Sequence, residues 1–320
     1  MDYRHLVHTP PQLAKAYVKW AEDRAKHPGI QWGIPCIDKQ MIPMHPGELT
    51  TILGRPGHGK SSLLAYLARR QSDIIAEAGK SGELCVIYVT WENTIEELTN
   101  FLLADSNLSV TDVARGQVDL EQVRQESVKL VDSSIFVIGR GVGRMAAQNI
   151  RMTPEVVYKA IESMEQDYHV KPVVMLFDYL QLIPSKTHTE RMEQVTEAPI
   201  RIKELAASVG APAVAAVQAN RRVDTYNIKL PEKQDAQWSS AIEQTSDKMF
   251  SLWRPALTED LEFVEMDDGQ TYAVNENLML VRMLKQRFGP GRNTWATYFN
   301  PAYLELAELE TREENQAVPF

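Results

Sequence analysis

The residues best suited to chemistry in this sequence form a short glycine-rich segment. It fits the pattern G-x-x-x-x-G-K-[ST] at every fixed position, with a strand-like run before it and a helical run after it. Glycines let backbone N–H groups point at phosphate oxygens, and the N-terminus of the following helix adds its positive dipole. We therefore predict that ATP phosphates bind at Gly54, Arg55, Pro56, Gly57, His58, Gly59, Lys60, Ser61 and Ser62.

Two side chains of this segment have distinct predicted roles. Lys60 would reach the β- and γ-phosphates, and the hydroxyl of Ser61 would bind Mg²⁺. The alternative is a glycine-rich turn between a strand and a helix that binds no ligand. Because every fixed position and both flanking elements match, the phosphate site is favoured.

A carboxylate at the end of a second strand completes such a site. The apolar run 172–177 ends in Asp178. A carboxylate at the end of a buried strand can hold a metal-bound water beside Mg²⁺. Taken alone, an aspartate that caps a turn would be the better interpretation. In combination with the phosphate loop, the metal role is favoured.

Glu92 is the candidate for a general base. Water that attacks a phosphoryl group needs a positioned proton acceptor. Glu92 lies just beyond the strand-like run 86–90, and in a parallel sheet that strand end shares an edge with the phosphate loop. The alternative is an acid favoured by the dipole of a helix that begins at 93.

Alternating elements must position these residues. Apolar strand-like runs lie at 49–53, 84–90, 135–138, 173–177, 213–217, 248–253, 278–284 and 294–299. Helical patterns lie at 10–27, 60–78, 95–103, 120–130, 154–168 and 192–209. The alternation predicts an α/β fold with a mainly parallel sheet and helices on both faces. The later strands lack long helices between them, which predicts antiparallel strands at the C-terminal side.

The composition narrows the class of protein. The 320 residues have a net charge of −9, which argues against a surface that coats nucleic acid but is compatible with a narrow basic channel. Cys36 and Cys85 are predicted to be free thiols in a reducing compartment. The sequence has no apolar N-terminal signal and no run of 18 apolar residues, so we expect no membrane contact and a cytoplasmic location.

With these residues in order, the sequence resembles the ATPase domain of the DnaB-type replicative helicases, ring-forming members of superfamily 4 with a RecA-like P-loop NTPase core. The resemblance covers roughly residues 28–300 and is carried by the stretches 46–49, 178–183, 211–221, 240–244 and 285–290. It implies an N-terminal extension with a linker-type helix at 1–28. A RecA-like ATPase domain at 29–305 and an acidic tail at 306–320 would follow.

The resemblance also implies roles that spacing alone does not give. Gln218 would sense the γ-phosphate and pass its state to a DNA-facing loop. Lys285 and Arg287 would reach the ATP of the neighbouring subunit, with Arg287 neutralising charge in the transition state. Without the resemblance, solvated basic residues on a surface strand would be preferred. Residues that act in a neighbour require an oligomer, and the family pattern implies a hexameric ring around single-stranded DNA.

The sequence departs from the family pattern in two places. The family's large N-terminal domain, which contacts primase, has no counterpart in these residues, so the resemblance supports ring formation but not coupling to primase. Where the family has an Arg-Glu pair and a glycine near DNA, this chain has Gln237, Trp238 and Ser239. These could contact a strand by hydrogen bonding and stacking, or Trp238 could pack in an interface. Arg221 and Arg222 are further candidates for contacts to the DNA backbone.

Two charged stretches have less specific predicted roles. The basic segment 139–151 is interpreted as a solvated loop in preference to a nucleic-acid contact. Residues 255–281 contain seven acidic residues and no Lys or Arg, which predicts a solvent-facing hairpin outside any DNA channel.

Three functions are compatible with the sequence. The leading hypothesis is a ring helicase that moves along single-stranded DNA and unwinds a duplex. The second is a RecA-like ATPase that binds DNA or protein without unwinding, in recombination, defence or regulation. The third is a scaffold that uses ATP only to assemble, which the presence of Glu92 and Arg287 disfavours.

Overall fold

The computed structural model describes residues 4, 7–27, 29–105, 107–142, 150–186, 188, 190–236, 240–258, 261–266 and 269–309. Its strands are β1 (Leu49–Gly54), β2 (Leu84–Thr94), β3 (Ile135–Arg140), β4 (Lys171–Asp178), β5 (Ala213–Gln218), β6 (Lys248–Trp253), β7 (Phe263–Glu265), β8 (Thr271–Ala273), β9 (Leu278–Gln286), β10 (Thr294–Asn300) and β11 (Glu305–Glu308). Its α-helices are α1 (Pro10–Lys26), α2 (Pro35–Asp38), α3 (Lys60–Glu77), α4 (Ile95–Leu103), α5 (Val110–Arg115), α6 (Leu120–Val131), α7 (Pro154–Tyr168), α8 (Arg191–Val209) and α9 (Ser240–Thr245).

The main sheet has nine strands in the order β11-β10-β9-β6-β1-β5-β4-β2-β3. Neighbouring strands from β3 across to β6 are parallel. The strands β9, β10 and β11 then add antiparallel at the other side. The long helices lie between the parallel strands because a parallel neighbour needs a crossover connection. The predicted α/β fold, mainly parallel with antiparallel strands at the C-terminal side, is confirmed.

The central parallel strands bury side chains on both faces. Ile52 and Tyr88 point into a core layer that includes apolar residues of α3 and α4. Leu53 and Phe177 point into a second layer, with apolar residues of α7 and α8. Because both faces are covered, these strands read in the sequence as continuous apolar runs rather than as alternating patterns. Burial of each large apolar side chain contributes roughly 1.5–3 kcal/mol to folding.

The structure adds detail that the apolar pattern does not show. The strand predicted over 84–90 continues to Thr94, with a register shift against β3 between Val89 and Thr94. Helices α2, α5 and α9 are only four, six and six residues long, too short for a helical apolar period to be recognised. The predicted acidic hairpin is confirmed only for its antiparallel pairing, since β7 and β8 pair apart from the main sheet. It is not wholly solvent-facing, because Val264 and Met266 are buried, and residues 278–281 belong to β9 of the main sheet.

Helix α1 is exposed along most of its length. Pro10 and Pro11 occupy its first turn, and none of its residues is buried. Leu13, Tyr17 and Trp20 remain open to solvent. No helix in the described part of the chain combines the length and the apolar composition needed to span a bilayer.

A buried ion pair stabilises the start of the sheet. Lys248 on β6 is 1% exposed, and its ammonium donates to Glu48, which is 13% exposed. Arg24 of α1 donates to the same carboxylate at 2.8 Å. Burial by itself raises the pKa of Glu48, but the Lys248 and Arg24 charges outweigh it and leave the pKa below its usual value.

We expect Glu48→Ala to lower the free energy of unfolding by about 3 kcal/mol, because it leaves the buried Lys248 ammonium without its partner. Denaturant-induced unfolding followed by circular dichroism measures the change. The matched control is Glu83→Ala, whose exposed pair with Lys80 should contribute about 1 kcal/mol or less. Equal effects of the two substitutions would contradict this account.

Candidate nucleotide site

The glycine-rich segment forms a tight turn from β1 into α3. Gly57 and Gly59 have φ angles of 81° and 92°, in the left-handed region where a side chain is strained. Gly59 lies immediately before the first residue of α3. The turn therefore places the free N–H groups of that helix at the end of β1, which is the geometry an anion needs.

Lys60 lies half-buried at the start of α3. Its Nζ donates to the backbone oxygen of Arg55 at 3.0 Å. Burial lowers the pKa of Lys60 to about 8, against the opposing effect of the carboxylates of Asp178 and Glu92. A buried ammonium whose pKa is lowered by desolvation gains most from an added anion. A triphosphate would supply that negative charge.

Asp178 ends β4 and is 1% exposed. Its Oδ2 accepts a hydrogen bond from the Tyr88 hydroxyl at 3.2 Å and one from Asn93 Nδ2 at 3.4 Å. Its Oδ1 is buried without a hydrogen-bond partner among the described residues. Burial raises the pKa of Asp178, and the hydroxyls of Ser61 and Tyr88 oppose that rise.

The surroundings of Asp178 fit Mg²⁺. The cation prefers oxygen ligands and is usually held in proteins by one or two carboxylates together with phosphate and water. A buried, unpartnered carboxylate oxygen close to the Ser61 hydroxyl offers such a donor set. Asp178 and Ser61 are thus the residues that could hold the metal.

Glu92 lies on β2, and this strand pairs with β4 so that Thr90 stands opposite Asp178. The predicted shared edge is therefore observed. Burial raises the pKa of Glu92, Asp178 raises it further, and Lys60 opposes both. A carboxylate whose pKa is raised toward neutrality is a better proton acceptor than an ordinary glutamate.

A cavity of about 310 Å³ connects these groups. Its lining comes from the glycine-rich turn and from the ends of β2, β5, β6 and β10. The lining residues are Pro56, Gly57, Gly59, Lys60, Ser61, Ser62, Glu92, Phe101, Tyr179, Gln218, Arg254, Phe299 and Pro301. A larger cavity of about 600 Å³, near Arg69 and Tyr303, contains none of the predicted site residues.

Three residues of the predicted phosphate segment lie outside this lining. Gly54 is the last residue of β1. Arg55 turns its guanidinium toward Asp224. The Nδ1 of His58 accepts a hydrogen bond from the backbone N–H of Arg254 at 3.0 Å. Burial, with nearby Lys60 and Arg254, lowers the pKa of His58 to about 4, so its imidazole is neutral at physiological pH and suited to accept this bond.

Arg254 is a cavity residue that the sequence prediction missed. It directly follows β6, which is parallel to β1, so the strand-edge argument applied to Glu92 could have found it. Its guanidinium carbon lies 5.3 Å from the centre of the Phe299 ring. Its Nε is buried without a partner among the described residues. Burial lowers its pKa. Phe299 and Pro301 carried no sequence signal beyond that of ordinary core residues.

Gln218 ends β5 and lines the cavity. The side chain of Gln181 clamps its backbone. Gln181 Nε2 donates to the Gln218 oxygen at 3.0 Å, and the Gln218 N–H donates to Gln181 Oε1 at 3.1 Å. Gln181 is 2% exposed and lies three residues beyond Asp178, so the two strand ends are rigidly linked.

Lys285 and Arg287 do not line the cavity of their own chain. Lys285 Nζ donates to the backbone oxygen of Glu243 at 2.7 Å. Arg287 Nη1 donates to Asp247 Oδ1 at 3.1 Å, while its side chain remains 60% exposed. Both cations therefore stand at the end of β9, apart from Lys60 and Glu92.

The residues predicted to contact DNA are described only in part. Arg221 and Arg222 are exposed in a short 3₁₀ turn, Arg221–Thr225, which follows β5 closely. Gln237, Trp238 and Ser239 lie outside the described residues, as does most of the basic segment 139–151.

Comparison with known proteins assigns the chain to a family. Residues 29–308 match the model of the DnaB-like helicase C terminal domain. The chain belongs to this family. All five stretches that carry the resemblance lie within the matched residues.

Individual relatives of this DnaB-like domain support the assignment. The replicative DNA helicase DnaB of Rickettsia bellii (strain RML369-C) is 24% identical over 89% of this chain and 58% of its own length. That of Leifsonia xyli subsp. xyli (strain CTCB07) is 28% identical over 72% and 48%. The chain thus spans about half the length of these relatives. A solved DnaB-like replicative helicase shares the fold, with a TM-score of 0.73, 19% identity, and 92% of this chain and 66% of that chain covered.

We expect Glu92→Gln to lower ATP turnover by about 10²–10⁴-fold, because the amide cannot take the proton of the attacking water. The affinity for ATP should stay within about threefold, since the phosphate loop is untouched. Steady-state hydrolysis and equilibrium nucleotide binding measure the two effects. The control is Glu96→Gln, at the next exposed carboxylate along the chain, which should behave as wild type. Normal turnover of Glu92→Gln would refute the assignment of the base.

Proposed function

We propose that this chain is the motor domain of an ATP-hydrolysing DnaB-like ring helicase that moves along single-stranded DNA and unwinds duplex DNA. The observation that carries the proposal is the arrangement of its charges. Lys60, Ser61 and Glu92 meet in one cavity with Asp178 behind them, while Lys285 and Arg287 stand apart from it. Such a site holds a nucleotide but needs a second chain to complete it.

The chain's own residues account for binding and attack. The N–H groups of the glycine-rich turn and the Lys60 ammonium would hold the phosphates. Ser61 and Asp178 would hold Mg²⁺, which neutralises phosphate charge when bound. A water oxygen would attack the γ-phosphorus and pass its proton to Glu92, while the bond to the bridging oxygen of ADP breaks. Gln218, at the cavity wall, would sense whether the γ-phosphate is present.

Part of the cavity wall suits the nucleoside. Phe299 and Pro301 give it an apolar wall, and Arg254 lies over the Phe299 ring with an unused Nε. An apolar wall with a few polar groups is typical of small-molecule sites. The cavity thus offers charged groups for phosphates and apolar groups for a base.

The basic residues at the end of β9 would act on the neighbouring subunit. An arginine supplied in trans stabilises transition-state charge and contributes about 10³–10⁵ in rate in other phosphoryl-transfer enzymes. Arg287 is exposed enough to serve in this way, and Lys285 lies beside it. We therefore propose a homo-oligomeric, hexameric ring with ATP sites between subunits.

Single-stranded DNA is the proposed partner of two segments of the chain. Arg221 and Arg222, on the turn that follows β5, would contact its backbone, together with Gln237, Trp238 and Ser239. The relatives' names, replicative DNA helicase DnaB, support DNA as the substrate. We propose no coupling to primase through these residues.

The charge distribution is also compatible with a second function. The chain has a net charge of −9, and the position of a family Arg-Glu pair holds uncharged Gln237, Trp238 and Ser239. A RecA-like ATPase that binds DNA or protein without unwinding would have these features. The two functions differ in whether a duplex is opened.

Unwinding of a forked DNA duplex tests the proposed function. The purified protein should separate the strands in the presence of ATP and Mg²⁺, and Lys60→Ala should not, because it lacks the phosphate-binding ammonium. Gel separation of labelled strands is the measurement. Hydrolysis of ATP without strand separation would favour the non-unwinding ATPase.

We expect Arg287→Ala to leave ATP binding within about threefold of wild type and to abolish most turnover. When wild-type subunits are mixed with an excess of Arg287→Ala, activity per wild-type subunit should fall, because each site borrows its arginine from a neighbour. Arg115→Ala, at an exposed position of α5, is the mixing control. Unchanged activity per wild-type subunit would show that Arg287 does not act in trans.

A further inference from the structure

A two-pronged ion pair connects the phosphate segment with the turn after β5. Arg55 Nε donates to Asp224 Oδ1 and Arg55 Nη2 donates to Asp224 Oδ2, each at 2.9 Å. The Arg55 side chain is 16% exposed and the Asp224 side chain 52%. Paired N–H···O bonds of this kind fix geometry as well as charge, which a lysine could not do.

The other atoms of Arg55 contact the nucleotide site and β5. Its backbone oxygen accepts the Lys60 ammonium at 3.0 Å. Its Nη1 donates to the Ala219 oxygen at 3.3 Å, and the Ala219 N–H donates to Gly54 at 3.1 Å. Arg55 therefore touches the phosphate-binding lysine at one end and the chain beyond Gln218 at the other.

Asp224 belongs to the exposed turn that carries the candidate DNA contacts Arg221 and Arg222. Arg222 of the same turn makes its side-chain contacts with residues outside the nucleotide site. Arg222 Nε donates to the Tyr226 hydroxyl at 2.9 Å, and that hydroxyl donates to the buried Asp235 at 2.8 Å. The pair with Arg55 is the side-chain link from this turn to the phosphate segment within the described residues.

We propose that Asp224 is a positioning residue that couples the phosphate segment, through Arg55, to the DNA-binding turn. This role rests on the proposed function, since it requires DNA to act on ATP hydrolysis. Phosphates that draw the Lys60 ammonium away from the Arg55 oxygen change the contacts of Arg55, and its guanidinium carries that change to Asp224. By linkage, DNA bound to Arg221 and Arg222 acts back on the phosphate segment.

The test is the isosteric variant Asp224→Asn, which keeps the shape but loses the charge. Its ATP hydrolysis without DNA should stay within about twofold of wild type. Its stimulation by single-stranded DNA should fall about tenfold, the factor that corresponds to about 1.4 kcal/mol of coupling. The increase in DNA affinity on adding a non-hydrolysable ATP analogue should also fall, while DNA affinity without nucleotide changes little.

Two further variants separate coupling from simple structural support. Asp224→Glu keeps the carboxylate and should restore much of the stimulation. Arg55→Lys cannot make the two-pronged pair and should reduce stimulation, with little further loss when it is combined with Asp224→Asn. Asp167→Asn, an exposed carboxylate of α7, is the control for loss of one charge.

The possible outcomes separate the role of Asp224 from the proposed function. Full stimulation of Asp224→Asn by DNA, in a protein whose wild type is stimulated, would overturn the role of Asp224 and leave the proposed function intact. The role of Asp224 would also be overturned if both Asp224→Asn and Asp224→Glu lost DNA-free hydrolysis as much as they lost stimulation by DNA. That pattern would mean that the substitutions disrupt the local structure. A wild type that DNA does not stimulate would overturn the proposed function and this role with it.

Discussion

Parallel pairing of β1 with β5, of β5 with β4 and of β4 with β2 is the constraint on which the site depends. It brings strand ends that are far apart in the sequence to one edge of the sheet. The positions of four site residues follow from that one arrangement, because each lies near the end of a strand. These residues are Lys60, Glu92, Asp178 and Gln218. A shift of register by one residue would turn every side chain of a strand to the opposite face. The two apolar core layers therefore fix the register of the strands, and with it the positions of the site residues.

Partly buried charge would give the proposed site its affinity for a nucleotide. Lys60 is half-buried and the neighbouring Asp178 is almost fully buried, and burial lowers the pKa of Lys60 and raises that of Asp178. An apolar core around such groups is costly unless a ligand completes their interactions. Asp178 Oδ1 has no hydrogen-bond partner within the described part of the chain, and this and the lowered pKa of Lys60 are two signs of the same incomplete charge balance. A cation beside the aspartate and phosphates beside the lysine would complete it.

Sequence patterns could predict the fold and the residues at strand ends, but not the partners that lie far along the chain. The apolar runs located the strands of the main sheet except the short β11, and the glycine pattern located the phosphate turn. Phe299 could not be told from a core residue, since its place at the cavity depends on antiparallel addition of β10. The pairs Arg55–Asp224 and Glu48–Lys248 join residues 169 and 200 positions apart, which no local pattern encodes. The assignments of Lys285 and Arg287 came from family resemblance, because within one chain they face no nucleotide.

We propose that one cavity, completed by a neighbouring chain, links ATP hydrolysis to single-stranded DNA. The most direct test is the rate of ATP hydrolysis by the purified protein with and without single-stranded DNA, with Lys60→Ala as the blank. We expect hydrolysis that DNA stimulates and that disappears in Lys60→Ala. Hydrolysis of the same rate with and without DNA would contradict the coupling and would indicate an ATPase whose partner is a protein.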